Sequence, residues 1–98
     1  MENNNLILSD ERPTLWLNFL RDDSLTYKEL GILGLLISAP KNQFVSEKWL
    51  ANQKATGLTS VRSGVRELER KGFLERKPIR SLSGHFKGNT WTVKIPKK

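Results

Sequence analysis

Arg62 and Arg66 stand four residues apart within Leu58-Thr59-Ser60-Val61-Arg62-Ser63-Gly64-Val65-Arg66-Glu67-Leu68. In a helix that spacing puts both guanidinium groups on one side, one turn apart. Each is a planar, forked donor that fits a phosphate or the edge of a guanine. Thr59, Ser60 and Ser63 fall on the same side. Their short hydroxyl side chains suit close approach to a phosphate backbone or to base edges. Val61, Val65 and Leu68 recur at i, i+4 and i+7 and form the opposing apolar stripe. The competing reading is a solvated face on which Arg66 pairs with a neighbour such as Glu69. A second group of cations, Arg80, His85 and Lys87, surrounds the turn-rich stretch Ser81–Asn89, with Arg76 and Lys77 just before it.

Catalytic chemistry finds little to work with. His85 is the only histidine and there is no cysteine. A zinc site would need carboxylates gathered around one imidazole. A nucleophile built on Ser83 and His85 would lack an orienting acid nearby. Gly84-His85-Phe86-Lys87-Gly88 has no Gly-Lys-Ser/Thr and joins two strands, so it is not a phosphate-cradling loop. No catalytic residue, metal or cofactor is expected. Single-stranded RNA is also a poorer fit than duplex DNA: Trp91 and Phe73 read as core, leaving Phe86 as the one aromatic placed to stack on a base.

The charge is unevenly distributed. Residues 1–40 carry three basic against six acidic side chains, whereas residues 41–98 carry fourteen against four. The positive potential therefore belongs to the half that holds both cation groups, and polyphosphate is the partner such a field attracts. No apolar run approaches the roughly 20 residues that span a bilayer. Met1-Glu2-Asn3-Asn4-Asn5 lacks the basic start of a signal peptide. A cytoplasmic protein with no membrane partner is the expectation.

The 98 residues suit one domain with a modest core. Residues 1–12 read as a flexible N-terminus, 13–95 as the folded domain and 96–98 as a basic tail, with Leu6-Ile7-Leu8 too short to build on. Pro13 opens the apolar run Thr14–Leu20, ambiguous by period, from which a short strand over Thr14–Leu17 is expected. Ser24 or Thr26 caps a helix ending at Ile37 or Ser38, with Glu29 at its positive end and Pro40 beyond. That helix is apolar on more than one face, which suits a central core helix or, alternatively, a dimer surface. Gly31 and Gly34 should allow close approach by another element.

Ser46 caps a further helix with Glu47 and Lys48 exposed and Trp49 and Leu50 turned inward. Thr56 or Gly57 starts the next, and Gly72 ends it with a left-handed residue. Strands over Phe73–Ile79 and Thr90–Ile95 follow, the first an edge strand because of Pro78. Trp91, Val93 and Ile95 alternate toward the core.

Helix, turn, helix, hairpin is the order in which small domains lay one helix in the DNA major groove and set a hairpin beside it. With these elements placed, residues 14–95 resemble the winged helix-turn-helix domain at the front of phage and plasmid replication initiators and DnaD-like primosome proteins. Leu25–Pro40 is similar to that group's first helix and its break. Val61–Leu74 matches a general recognition-helix signature, with its valine, its Leu-Glu pair and its Lys-Gly-aromatic-Leu ending. Arg80–Val93 is like that group's wing.

The resemblance implies an α+β fold of three helices plus a C-terminal β-hairpin wing, with a short N-terminal strand as an optional addition. It implies double-stranded DNA binding in replication initiation at an origin, with a protein partner in a replisome. Thr59, Ser60, Arg62, Ser63, Arg66, Arg80, His85 and Lys87 would be the DNA-binding residues. A transcriptional regulator of the same fold is the second reading, and a protein-binding winged helix, such as a small phage inhibitor or adaptor, the third. One domain of this size binds DNA weakly, so a homodimer or assembly on repeated sites is expected.

Overall fold

The computed structural model describes residues 5–40, 43–54 and 56–96, the side chains of Asn5, Phe86 and Lys87 excepted. In chain order the elements are β1 (Asn5–Leu8), α1 (Arg12–Leu20), α2 (Tyr27–Ser38), α3 (Glu47–Gln53), α4 (Leu58–Lys71), β2 (Leu74–Arg80) and β3 (Phe86–Val93). The described residues form an α+β fold of four helices and one mixed sheet in the order β1-β3-β2.

Two expectations about the N-terminal region are corrected. The run after Pro13 is helix α1, not a strand over Thr14–Leu17, and it makes the described helices four rather than three. Proline at the first turn is already set for a helix and gives up no needed N–H. Leu15 and Phe19, one turn apart, then bury completely on a single face. The N-terminal strand does exist, but it is Asn5–Leu8, inside the stretch expected to be flexible. It pairs in parallel with β3, Leu6 opposite Trp91 and Leu8 opposite Val93. Alternation explains this: Leu6 and Leu8 pack against the core while Ile7 between them faces outward. Residues 1–4 and the last two residues of the basic tail lie outside the described residues.

Helix α2 begins with a capping box. Thr26 Oγ1 accepts from the Glu29 N–H, and the Thr26 N–H donates to Glu29 Oε1 at 2.9 Å. Ile32, Leu33, Leu36 and Ile37 are buried, so most of the apolar surface of α2 is used inside the fold. A Cβ on Gly34 would stand 3.1 Å from the Trp16 ring of α1, whereas Gly31 faces open space. The tighter approach is at Gly64 of α4, where a Cβ would overlap Ile32 Cδ1 of α2. Gly64→Val is therefore expected to cost about 1–3 kcal/mol in a denaturant melt, through overpacking. Gly64→Ala should cost less, because Ile32's terminal methyl can turn aside and alanine favours the helix.

At the end of α4, Gly72 adopts φ 90° and the Phe73 N–H reaches back to the Leu68 carbonyl at 3.0 Å. That left-handed cap turns the chain directly into β2. Phe73 meets Phe19 edge-on, ring centroids 5.6 Å apart. In the hairpin, β2 is an edge strand carrying Pro78, as its sequence requires, and β3 is central. The strands extend further toward the turn than expected, while β2 starts at Leu74 rather than Phe73 and β3 ends at Val93 rather than Ile95. Arg80 already pairs with Phe86, so only residues 81–85 form the turn, and β3 carries a bulge near Gly88. Trp91 and Val93 are buried, and Ile95 packs against the core.

Candidate nucleic-acid interface

Helix α4 divides sharply into two faces. Val61, Gly64, Val65 and Leu68 are buried. At about 100° per residue, Thr59, Arg62, Ser63, Arg66 and Arg70 fall opposite them, and all five are exposed. Ser60 is half-buried on the flank toward α2 and so belongs to the edge of this ridge.

The carboxylates decide which cations stay available. Glu67 takes Arg70, with Nη2–Oε2 at 2.7 Å and a second bond from Nε. Hydrogen bonding from Arg70 holds the Glu67 carboxyl below its ordinary range and raises the guanidinium correspondingly. Glu69 takes Arg76 of β2 at 2.6 Å. Glu75 takes Lys94 at 2.9 Å and Lys77 at 3.0 Å, and those two hydrogen bonds lower its pKa. Because Glu69 and Glu67 are both engaged elsewhere, Arg66 has no ion pair among the described residues. That leaves a desolvatable fork at the middle of an exposed helical ridge.

Arg62 is half free. Its Nε lies 3.5 Å from Glu47 Oε1 of α3, and its side chain keeps 58% of its exposure. Glu47, expected to be exposed, is half-buried between Arg62 and Arg76. Arg76 itself turns inward: besides Glu69 and Glu47 it sits over the Trp91 ring, 5.2 Å from the centroid. It braces β2 against α4 and α3 and is not one of the cations around the hairpin turn.

In the hairpin, Arg80 and His85 are exposed at the two ends of the turn. Arg80 Nη1 donates to the Gly84 carbonyl at 3.3 Å, the Ser81 N–H to the His85 carbonyl at 2.9 Å, and the His85 N–H to Ser81 Oγ at 3.2 Å. These bonds order the turn that carries both side chains. The side chains of Lys87 and Phe86 lie outside the described residues.

Two residues escaped sequence reasoning. Arg70 was legible, since it continues the Arg62–Arg66 spacing by one more turn. Glu47 was not, because its partners come from α4 and β2. Between α2, α3 and α4 an apolar groove of about 250 Å³ is lined by Tyr27, Ile32, Leu35, Leu50 and Val61, with Lys54 at its rim. Among the described residues no His, Asp and Glu side chains cluster as a metal site, and no helix is long and apolar enough to cross a membrane. Comparison of the chain with protein-family models, curated proteins and solved structures gives no match.

Proposed function

We propose that this chain is a winged helix-turn-helix module that binds double-stranded DNA, acting in the initiation of phage or plasmid replication at an origin. In this reading α2, α3 and α4 are the three helices of the module, and the β2–β3 hairpin is the wing. Helix α1 and strand β1 are N-terminal additions. Helix α4 enters the major groove with Thr59, Arg62, Ser63 and Arg66 toward the bases, Ser60 at the rim, and Arg70, paired with Glu67, at the far end of the ridge. Arg80 and His85 follow the neighbouring sugar-phosphate edge.

The observation that carries this reading is the exposed ridge of α4, with Arg66 unpaired among the described residues while Glu67 and Glu69 are already engaged. Replication, rather than transcription, is supported by the likeness of Arg80–Val93 to an initiator's wing.

Selection of bound duplexes from a random pool tests the proposal. Repeated short sites are expected, as an initiator assembles on iterated sequence, whereas a lone palindrome would favour a dimeric regulator. Affinity should also fall steeply with salt. If about five phosphates are neutralised, log affinity against log salt should have a slope near −4 or −5. Absence of any mobility shift with random duplex at low salt would overturn DNA binding and favour a protein partner.

A further inference from the structure

We infer that Glu47 is a positioning residue that presents Arg62 end-on to a base pair, and so helps to set sequence specificity. The inference rests on the proposal that α4 enters the major groove. Its support is atomic. Glu47 approaches Arg62 through Nε, at 3.5 Å, on the side of the guanidinium rather than its end. No hydrogen bond within the described residues occupies the terminal Nη1 and Nη2 of Arg62. Those two nitrogens form the fork that pairs bidentately with guanine O6 and N7.

The carboxylate is itself held in place. Glu47 is the first residue of α3, whose cap is fixed by Ser46 Oγ accepting from the Trp49 N–H at 3.0 Å. Its other oxygen, Oε2, lies 3.5 Å from Arg76 Nη1. Arg76 is anchored independently by Glu69 at 2.6 Å and by the Trp91 ring. The chain of contacts thus runs from the buried face of β3, through β2 and the start of α3, to an exposed side chain on α4. A long arginine at the surface would otherwise sample many rotamers, and restraining it at Nε before binding reduces the entropy lost on contact.

Placing a carboxylate beside a DNA-facing ridge also has a cost that favours discrimination. Glu47 repels phosphates, so it weakens any docking in which Arg62 merely grips the backbone. Correct docking keeps Nε on Glu47 while the fork takes the base. Removal of the charge should therefore act in opposite directions on random and on preferred duplex.

The experiment uses the full chain, the preferred duplex from selection, a panel with each base pair substituted singly, and random duplex. Wild type, Glu47→Gln, Arg62→Ala and the double variant are compared, with thermal melting to confirm folding. For Glu47→Gln, random-duplex affinity should rise about two- to fivefold as one repulsion is lost. Discrimination at one base pair should fall about tenfold. The remaining positions should keep their preference, which a merely structural defect would not allow. In the Arg62→Ala background, Glu47→Gln should change discrimination at no position. An unchanged single-base profile in Glu47→Gln, or a uniform loss at every position, would overturn the positioning role while leaving DNA binding intact. Failure of wild type to bind any duplex would remove the proposed function and this inference together.

Discussion

Truncating Arg62 and Arg66 together to alanine is expected to abolish specific duplex binding. If each makes a base or phosphate contact, each contributes about 1–3 kcal/mol, and the pair about 2–6 kcal/mol. Side chains one helical turn apart are close enough to couple, so a double loss that differs from the sum of the two single losses would report that coupling. The kind of loss distinguishes the kind of contact. A phosphate-gripping arginine weakens all sequences alike and reduces the salt slope by about one, whereas a base-reading arginine leaves the slope and relaxes one position. Arg66→Ala should act without disturbing any ion pair among the described residues, whereas Arg62→Ala also releases Glu47. Folding should be untouched, since both side chains are exposed. Titration of labelled preferred duplex over a salt series checks all of this, and equal affinity and slope in wild type and the double variant would remove the ridge from the interface.

Replacing Lys71 with methionine is expected to cost about 1.5–3 kcal/mol of folding stability, more than replacing its partner Glu29 with glutamine. The pair ties the start of α2 to the end of α4, with Lys71 Nζ 2.7 Å from Glu29 Oε1 and a further bond to the Ser24 carbonyl. The asymmetry follows from burial. The Glu29 side chain retains 3% of its exposure and that of Lys71 19%. Without Lys71 the carboxylate loses its charged partner and keeps the bond from the Thr26 N–H, whereas an unpaired Lys71 can swing its ammonium to water.

The pair also gives stability an acid limb. Burial alone would raise the Glu29 pKa, but the hydrogen bonds from Lys71 and from the Thr26 N–H, with the charge of Lys71, outweigh it and lower the pKa. The unfolded chain then binds the proton more readily than the folded one, so stability increases with pH across the interval between the two values. The contribution is complete above the ordinary value of 4.5 and is lost as pH falls through the lower folded value. Urea melts of wild type should weaken on acidification through that window. Glu29→Gln should weaken less, and an identical acid dependence in the two would show that Glu29 is not the group responsible.

Much of the candidate site was legible because helices obey a local period. The stripe Val61–Val65–Leu68 fixed where Thr59, Arg62, Ser63 and Arg66 must point, and Gly72 marked the stop. Thr26 with Glu29 three residues later announced a helix start in the same way. The strand expected over Thr14–Leu17 failed for the converse reason. A short apolar run satisfies either period, and Pro13 favoured helix only once Leu15 and Phe19 had a shared core to enter. Asn5–Leu8 is too short to be stable alone, and it is ordered by the open edge of β3.

By its residues alone, this chain determines an amphipathic basic helix capped by glycine, an ordered succession of helices ahead of a hairpin, and a charge surplus confined to its second half. These are properties of neighbours in sequence, set by side-chain period and by backbone preference. Tertiary structure decides which cations remain free. Arg76 and Lys71 are as basic in sequence as Arg66, yet the first two are drawn to Glu69 and Glu29 by the meeting of separate elements. Coulomb attraction falls with distance, and only the folded chain sets the distances between charges that lie far apart along it.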